Sequence, residues 1–189
     1  LPIWPDTLDP EKLRVIKDGG ATRISINPQT MSDKVLEAVG RRHTARQTVE
    51  AYEQAVQAGF DDINMDLIAG LPADTPEGFR RTLDKCLSFG ADNITVHTLA
   101  LKKGADLFEK RGSLPSAEDV TEMVAYASRT LSALGYRPYY LYRQKYMAGN
   151  LENVGYALPG HACLYNIGMM EETAHVMAAG AGAISKRVA

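Results

Sequence analysis

Apolar positions along this 189-residue chain follow two rhythms, one of period two and one near 3.6. Leu13 and Ile16 lie one turn apart in a stretch opened by Asp9-Pro10 and closed by Gly19-Gly20, which predicts a short capped helix. Arg23-Ile24-Ser25-Ile26 alternates and reads as a strand, broken at Asn27-Pro28-Gln29-Thr30. Ser32 opens a second short helix carrying Val35, Leu36 and Val39, which stops at Gly40. Thr44 followed by Gln47 forms a capping box, and Ala45, Val49, Tyr52 and Val56 then recur at helical spacing up to Gly59. Ile63 to Ile68 predicts a strand that ends in Gly70-Leu71-Pro72. Thr75-Pro76 opens a helix that buries Phe79, Leu83, Cys86 and Leu87, and Asn93 to Thr98 gives a further strand. Strands near 23, 63 and 95 are each separated by about one βα unit. This rhythm implies a parallel sheet or barrel, and three strands are too few to close a barrel.

The rhythm changes after residue 100. Lys102-Lys103-Gly104 and Lys110-Arg111-Gly112 are basic and loop-like, flanking a short Ala105–Glu109 segment. Ser116 opens a long helix to Leu134 with Val120, Met123, Ala127, Leu131 and Leu134 expected to face inward. Tyr136 to Met147 follows, rich in tyrosine, then a Gly-, Asn- and Pro-rich stretch from Gly149 to Gly168. A final short helix is expected near Glu171–Ala179, ahead of Gly180 to Ser185. The chain divides on this reading into a barrel segment, 1–112, and an extension of helix and strand, 113–189.

Composition narrows the class. Length and 45% hydrophobic residues suit one domain or a large piece of one. The start at Leu1 and the stop at Ala189 read as those of a piece cut from a longer protein. A net charge of −2 lacks the basic excess of a nucleic-acid binder. The weakly polar run Ala174 to Ile184 is too short to span a bilayer, and Leu1 to Asp9 does not resemble a signal peptide. Two cysteines, Cys86 and Cys163, form no short metal-binding motif and suggest a reducing, cytoplasmic setting.

Candidate chemistry lies at the strand ends: Gln29 after the first strand, Asp66 late in the second, and Thr95, His97 and Thr98 in the third. In a parallel barrel these converge on one mouth. A carboxylate within an apolar run is costly without a partner, so Asp66 reads either as a ligand contact or as a loop cap paired with an arginine. Arg41 reads either as a group folded over the mouth or as half of a solvated Arg41-Arg42 pair. Together Gln29, Arg41 and Asp66 suit a small ligand bearing a carboxylate, an amine and ribose hydroxyls. A lone strand histidine such as His97 is more often an interior residue than a ligand. His43 and His175 read as surface or helix-flank residues. His161-Ala162-Cys163 is better read as a structural loop than as a metal or haem ligand set. The tyrosine run fits a planar polyanion or, equally, an aromatic strand.

The stretches Arg23–Thr30, Arg41-Arg42-His43, Asn64–Pro72 (Asn-Met-Asp-Leu-Ile-Ala-Gly-Leu-Pro) and Pro159-Gly-His-Ala-Cys163 resemble the radical S-adenosylmethionine enzymes related to oxygen-independent coproporphyrinogen III oxidase. Tyr139 to Tyr156 is similar to the coproporphyrinogen dehydrogenase branch of Bacillus- and Clostridium-like bacteria. The resemblance implies an α/β fold, the C-terminal half of a partial (β/α)6 TIM-like barrel with a mixed extension. It implies a [4Fe–4S] cluster that cleaves S-adenosylmethionine, a 5′-deoxyadenosyl radical, conversion of two tetrapyrrole propionates to vinyl groups, and an electron donor as partner. By resemblance the S-adenosylmethionine contacts fall on Gln29, Arg41, Asp66, Ala100 and Ile184. The Cys-x3-Cys-x2-Cys cluster motif is absent, and the family's glutamate would fall where Leu1 and Pro2 stand. The expectation is a chain inactive alone and active within its full-length enzyme. The alternatives are a haem chaperone of the same superfamily and an inactive truncated product.

Overall fold

The structure, a computed structural model, describes residues 2–100, 114–143, 151–178 and 183–188. The basic loops at 102–104 and 110–112, the segment 105–109, the end of the tyrosine run and residues 180–182 lie outside the described residues.

The first half alternates strand and helix as its sequence pattern dictates. β1 (Pro2–Ile3), β2 (Arg23–Gln29), β3 (Asp62–Ala69) and β4 (Asn93–Thr98) pair side by side in parallel. Between them run α1 (Pro10–Asp18), α2 (Asp33–Ala38), α3 (Ala45–Gln57) and α4 (Pro76–Ser88). The caps are those expected from the sequence. Asp9 accepts from the Lys12 amide, Thr44 and Gln47 close a capping box, and Thr75 accepts from the Gly78 amide. Each satisfies a backbone donor that the first turn leaves without a partner.

The sheet does not stop at β4. After α5 (Ala117–Ala133), the chain adds β5 (Arg137–Tyr142) and β6 (Asn153–Ala157). β6 lies antiparallel to β4, and β5 lies antiparallel to β6, giving the order β1-β2-β3-β4-β6-β5. The tyrosine run is therefore an edge strand, and part of the Gly- and Asn-rich stretch is the strand that joins it to the sheet. The last helix, α6, is Leu164–Met170, earlier than the helix expected at 171–179. Glu172 takes a φ of 52°, and Val176 pairs antiparallel with Lys186 instead of continuing a helix.

Alternation along the strands gives the sheet two unlike faces. Ile24, Ile26, Ile63, Met65, Leu67, Ile94 and Val96 are buried in the core cluster. They share it with Ala51, Tyr52 and Ala55 of α3, Phe79, Leu83 and Cys86 of α4, and Val120, Met123, Ala127 and Leu131 of α5. The opposite face carries Arg23, Ser25, Asn64, Asp66, Thr95 and His97. The turn after β3 needs its glycine. Gly70 has a φ of +87°, and a Cβ there would meet Val120 Cγ2 at 3.0 Å.

Candidate functional site

The polar face of β2, β3 and β4 forms a connected network because each strand offers every second residue to it. Asn64 Nδ2 donates to Asp66 Oδ1 at 2.6 Å and to Ser25 Oγ at 2.7 Å. Thr95 Oγ1 donates to Asn64 Oδ1 at 3.1 Å and lies 3.4 Å from the Tyr140 hydroxyl. Among the described residues Asp66 thus receives a neutral amide and pairs with no arginine, and His97 Nε2 is 3.9 Å away. That is beyond hydrogen-bond reach. Asp66 is a strand residue on the inner face, not a loop cap.

This face lines a cavity of about 700 Å³ whose walls include Arg23, Asp66, Thr95, His97, Tyr140 and Cys163. A second cavity of about 310 Å³ sits at the C-terminal end of the parallel strands and is walled by Gln29, Ile68, His97, Ala100, Tyr142 and Asn153. His97 lines both, so the two cavities adjoin at this residue. Its partner is the Tyr142 hydroxyl, 3.3 Å from Nδ1.

Gln29 ends β2 at a register break, with φ of 65° and 8% exposure. A non-glycine residue in the left-handed region stores strain, and the bulge re-aims its side chain relative to the strand. Pro28 just before it is tied down by His43, whose Nε2 lies 3.1 Å from the Pro28 carbonyl oxygen. His43 is 2% exposed, so it is an interior residue and not the surface residue its sequence context suggested. Arg41 is half-buried, and its guanidinium lies over the Trp4 ring at 4.4 Å. Burial pushes its pKa down, which reflects the cost of removing the cation from water. Ala100 lines the smaller cavity. Ile184 is 84% exposed and walls neither cavity.

The tyrosines reach this face from two strands away. Thr95, Gly155 and Tyr140 stand in one register row across β4, β6 and β5. The Tyr140 ring lies flat over Gly155, where a Cβ would come within 1.9 Å of Tyr140 Cε1. Tyr140 stacks on Tyr142 with centroids 6.3 Å apart and planes 6° apart, and meets Tyr139 edge-on at 4.8 Å. Burial, and to a lesser degree the Asp66 charge, raises the pKa of both Tyr140 and Tyr142. Both phenols therefore keep their protons.

At the other end of the strands, His161 Nδ1 lies 2.6 Å from Asp62 Oδ1 and 3.7 Å from Asp92 Oδ1. Arg23 also reaches Asp62, at 3.2 Å. The His161–Cys163 loop is thereby pinned to the start of β3 and β4, and His161, Asp62 and Asp92 bring ligand-type atoms within 4.8 Å of one another. Cys163 faces the larger cavity. Asn64 and Tyr140 had drawn no separate attention in the sequence. The available signal was their place at every second position of adjoining strands, which becomes visible only once the register is known.

A parallel strand–helix wall with a polar inner face is the construction of an α/β barrel that binds a small molecule at its centre. Residues 2–86 match the radical SAM superfamily, and the chain belongs to that superfamily. Over 184 residues, 96% of the chain, it is 44% identical to the oxygen-independent coproporphyrinogen-III oxidase-like protein HemZ of Bacillus subtilis. It is 32% identical over 139 residues, 71% of the chain, to the haem chaperone HemW of the same organism. Coproporphyrinogen III oxidase (HemN) from Escherichia coli, a radical SAM enzyme, has a similar fold, with a TM-score of 0.70 and 21% identity over 93% of this chain and 38% of that one. The chain spans 37% of the length of each of the two curated Bacillus relatives.

Radical SAM proteins use S-adenosylmethionine and a [4Fe–4S] cluster. The cluster requires thiolate ligands, and the two cysteines here do not fit it. Cys86 is fully buried in the core, where burial pushes its thiol up to about 12, and Cys163 stands apart on the loop. The chemistry of three side chains suits S-adenosylmethionine, but the structure sets them apart: Asp66 walls the larger cavity, Gln29 the smaller and Arg41 neither. Asp66 can accept from hydroxyl or amino groups, the Gln29 amide can do both, and Arg41 is a cation held against an aromatic ring. Among the described residues no helix is long and apolar enough to cross a membrane.

Proposed function

We propose that the complete protein is a coproporphyrinogen dehydrogenase, which oxidatively decarboxylates propionates of coproporphyrinogen III to vinyl groups without oxygen, in haem biosynthesis. The observation that carries this reading is the continuous polar network around Asp66, set between two adjoining cavities, in a chain 44% identical to a coproporphyrinogen-oxidase-like relative. S-adenosylmethionine, bound at an iron–sulfur cluster that other residues hold, supplies hydrogen-atom abstraction.

This chain's residues bind, orient and shield. Gln29, Arg41 and Asp66 hold the polar end of S-adenosylmethionine, with the Ala100 backbone at its adenosine; Ile184, outside both cavities, is assigned there by family resemblance alone. Asp66 accepts hydrogen bonds and Arg41 meets the carboxylate. The larger cavity, walled by aromatic rings, takes the tetrapyrrole and excludes water from the reacting carbon. An electron donor serves the cluster.

The similarity to HemW favours a second reading, a haem chaperone. One experiment separates the two. The complete, cluster-reconstituted protein is incubated without oxygen with S-adenosylmethionine, a reductant and coproporphyrinogen III. Loss of two carboxyl groups by mass spectrometry is the expected result. Tight haem binding, seen as a Soret shift, with all four propionates intact would establish the chaperone instead.

A further inference from the structure

We infer that His97, held by Tyr142, is the residue that recognises the reacting propionate carboxylate of the tetrapyrrole. This inference deepens the proposed function and rests on it.

The argument begins with position. His97 walls both the cavity that contains Asp66 and the one that contains Gln29 and Ala100. A substrate group that must approach S-adenosylmethionine from the larger cavity passes this side chain. Chemistry comes next. The larger cavity takes a molecule rich in carboxylates, yet the carboxylate in its wall, Asp66, repels them. Arg23, its cationic wall residue, already meets Asp62 at 3.2 Å. Of the donors in that wall, His97 is the one that also faces the smaller cavity.

His97 is placed to supply a hydrogen bond. The Tyr142 hydroxyl lies 3.3 Å from Nδ1, while the other ring nitrogen, Nε2, stands on the Asp66 side. Nε2 is 3.9 Å from Asp66 Oδ1, too far for a hydrogen bond to it. The side chain is 25% exposed, so Nε2 is sheltered without being sealed. Tyr142 is in turn fixed by stacking on Tyr140. The Tyr140 ring can cross from β5 toward β4 because Gly155 of the intervening strand has no Cβ. Tyr142, itself held by Tyr140, thus fixes the orientation of the imidazole. His97 is a specificity-determining residue on this account, and Tyr142 is its positioning residue.

The test uses two stable porphyrins as probes. Coproporphyrin III carries four propionates. Mesoporphyrin IX has ethyl groups where the two reacting propionates stand. Both are titrated by fluorescence into the complete protein in the presence of S-adenosylmethionine. Wild type is expected to prefer coproporphyrin III. His97→Leu removes one hydrogen bond to a charged group and should cut that preference by about tenfold or more. Mesoporphyrin IX affinity should stay unchanged, so general damage to the cavity is told apart from loss of a carboxylate contact. His97→Gln, which keeps an N–H donor, should recover part of the preference, and Tyr142→Phe should lose less than His97→Leu. An undiminished preference in His97→Leu overturns the role of His97 and leaves the proposed function standing. Failure of wild type to bind either porphyrin overturns both.

Discussion

Gly155→Ala tests the packing that brings the tyrosines to the site. The new Cβ would stand 1.9 Å from Tyr140 Cε1, 2.4 Å from Cδ1 and 2.7 Å from Cζ. Carbon atoms rest at about 3.5 Å or more, so the ring must withdraw by about 1.5 Å. The Tyr140–Thr95 contact, already 3.4 Å long, cannot survive that shift. A hydrogen bond of this kind contributes about 1 kcal/mol, and each ring pair with Tyr139 and Tyr142 about 0.5–1.5 kcal/mol. Alanine returns about 0.5–1 kcal/mol through the less flexible unfolded chain. The balance is a loss of roughly 1–3 kcal/mol. At roughly 2–4 °C per kcal/mol for a chain of this size, the melting temperature should fall by about 3–10 °C. The assay is thermal unfolding followed by circular dichroism, with the near-ultraviolet tyrosine signal reporting on the rings. A Tyr140→Ala background supplies the control. There the clash is gone, so Gly155→Ala should cost nothing or stabilise slightly. An equal cost in both backgrounds, or no cost in either, would refute the proposed packing.

Two further outcomes follow from buried groups. Cys86 is fully buried, with its thiol pushed up to about 12. Iodoacetamide at pH 8 should therefore alkylate Cys163 in the folded protein and reach Cys86 only after unfolding, as peptide mass mapping would show; early labelling of Cys86 would contradict this core. Asp74 is 7% exposed, its Oδ1 accepts from the Thr75 amide at 2.9 Å, and its Oδ2 has no hydrogen-bond partner among the described residues. Burial raises its pKa, so the folded state holds the proton more tightly and stability declines as pH rises from the ordinary carboxylate range through the raised folded-state value. Asp74→Asn keeps the Oδ1 acceptor and removes the charge. It should raise the melting temperature at pH 7, by the equivalent of about 1 kcal/mol, and the gain should vanish in acid, where wild type is protonated too. A gain of the same size at every pH would count against that assignment.

The parallel strands were legible because their signals are local. Asp9, Thr44 and Thr75 announce helix starts, and Ile24/Ile26 and Ile63/Met65/Leu67 alternate over whole strands. β6 was not legible. Asn153-Val-Gly-Tyr-Ala has little strand signal of its own, and its place is fixed by pairing with β4 on one side and β5 on the other. The same non-local pairing hid Tyr140 as a neighbour of Thr95. His43 was misread because a histidine beside two arginines looks solvated, while its ring in fact closes over the Pro28 carbonyl. Asp66 was correctly singled out as an awkward carboxylate. Its neighbours Asn64 and Ser25, which make it tolerable without an arginine, belong to the sheet register.

The central claim, that this polar face holds S-adenosylmethionine, is tested most directly by isothermal titration of the complete protein with that cofactor, comparing wild type with Asp66→Ala. Loss of charged hydrogen bonds should weaken binding by about tenfold or more, with the visible absorption of the iron–sulfur cluster unchanged because its ligands lie elsewhere. Unchanged cofactor affinity in Asp66→Ala would contradict the account.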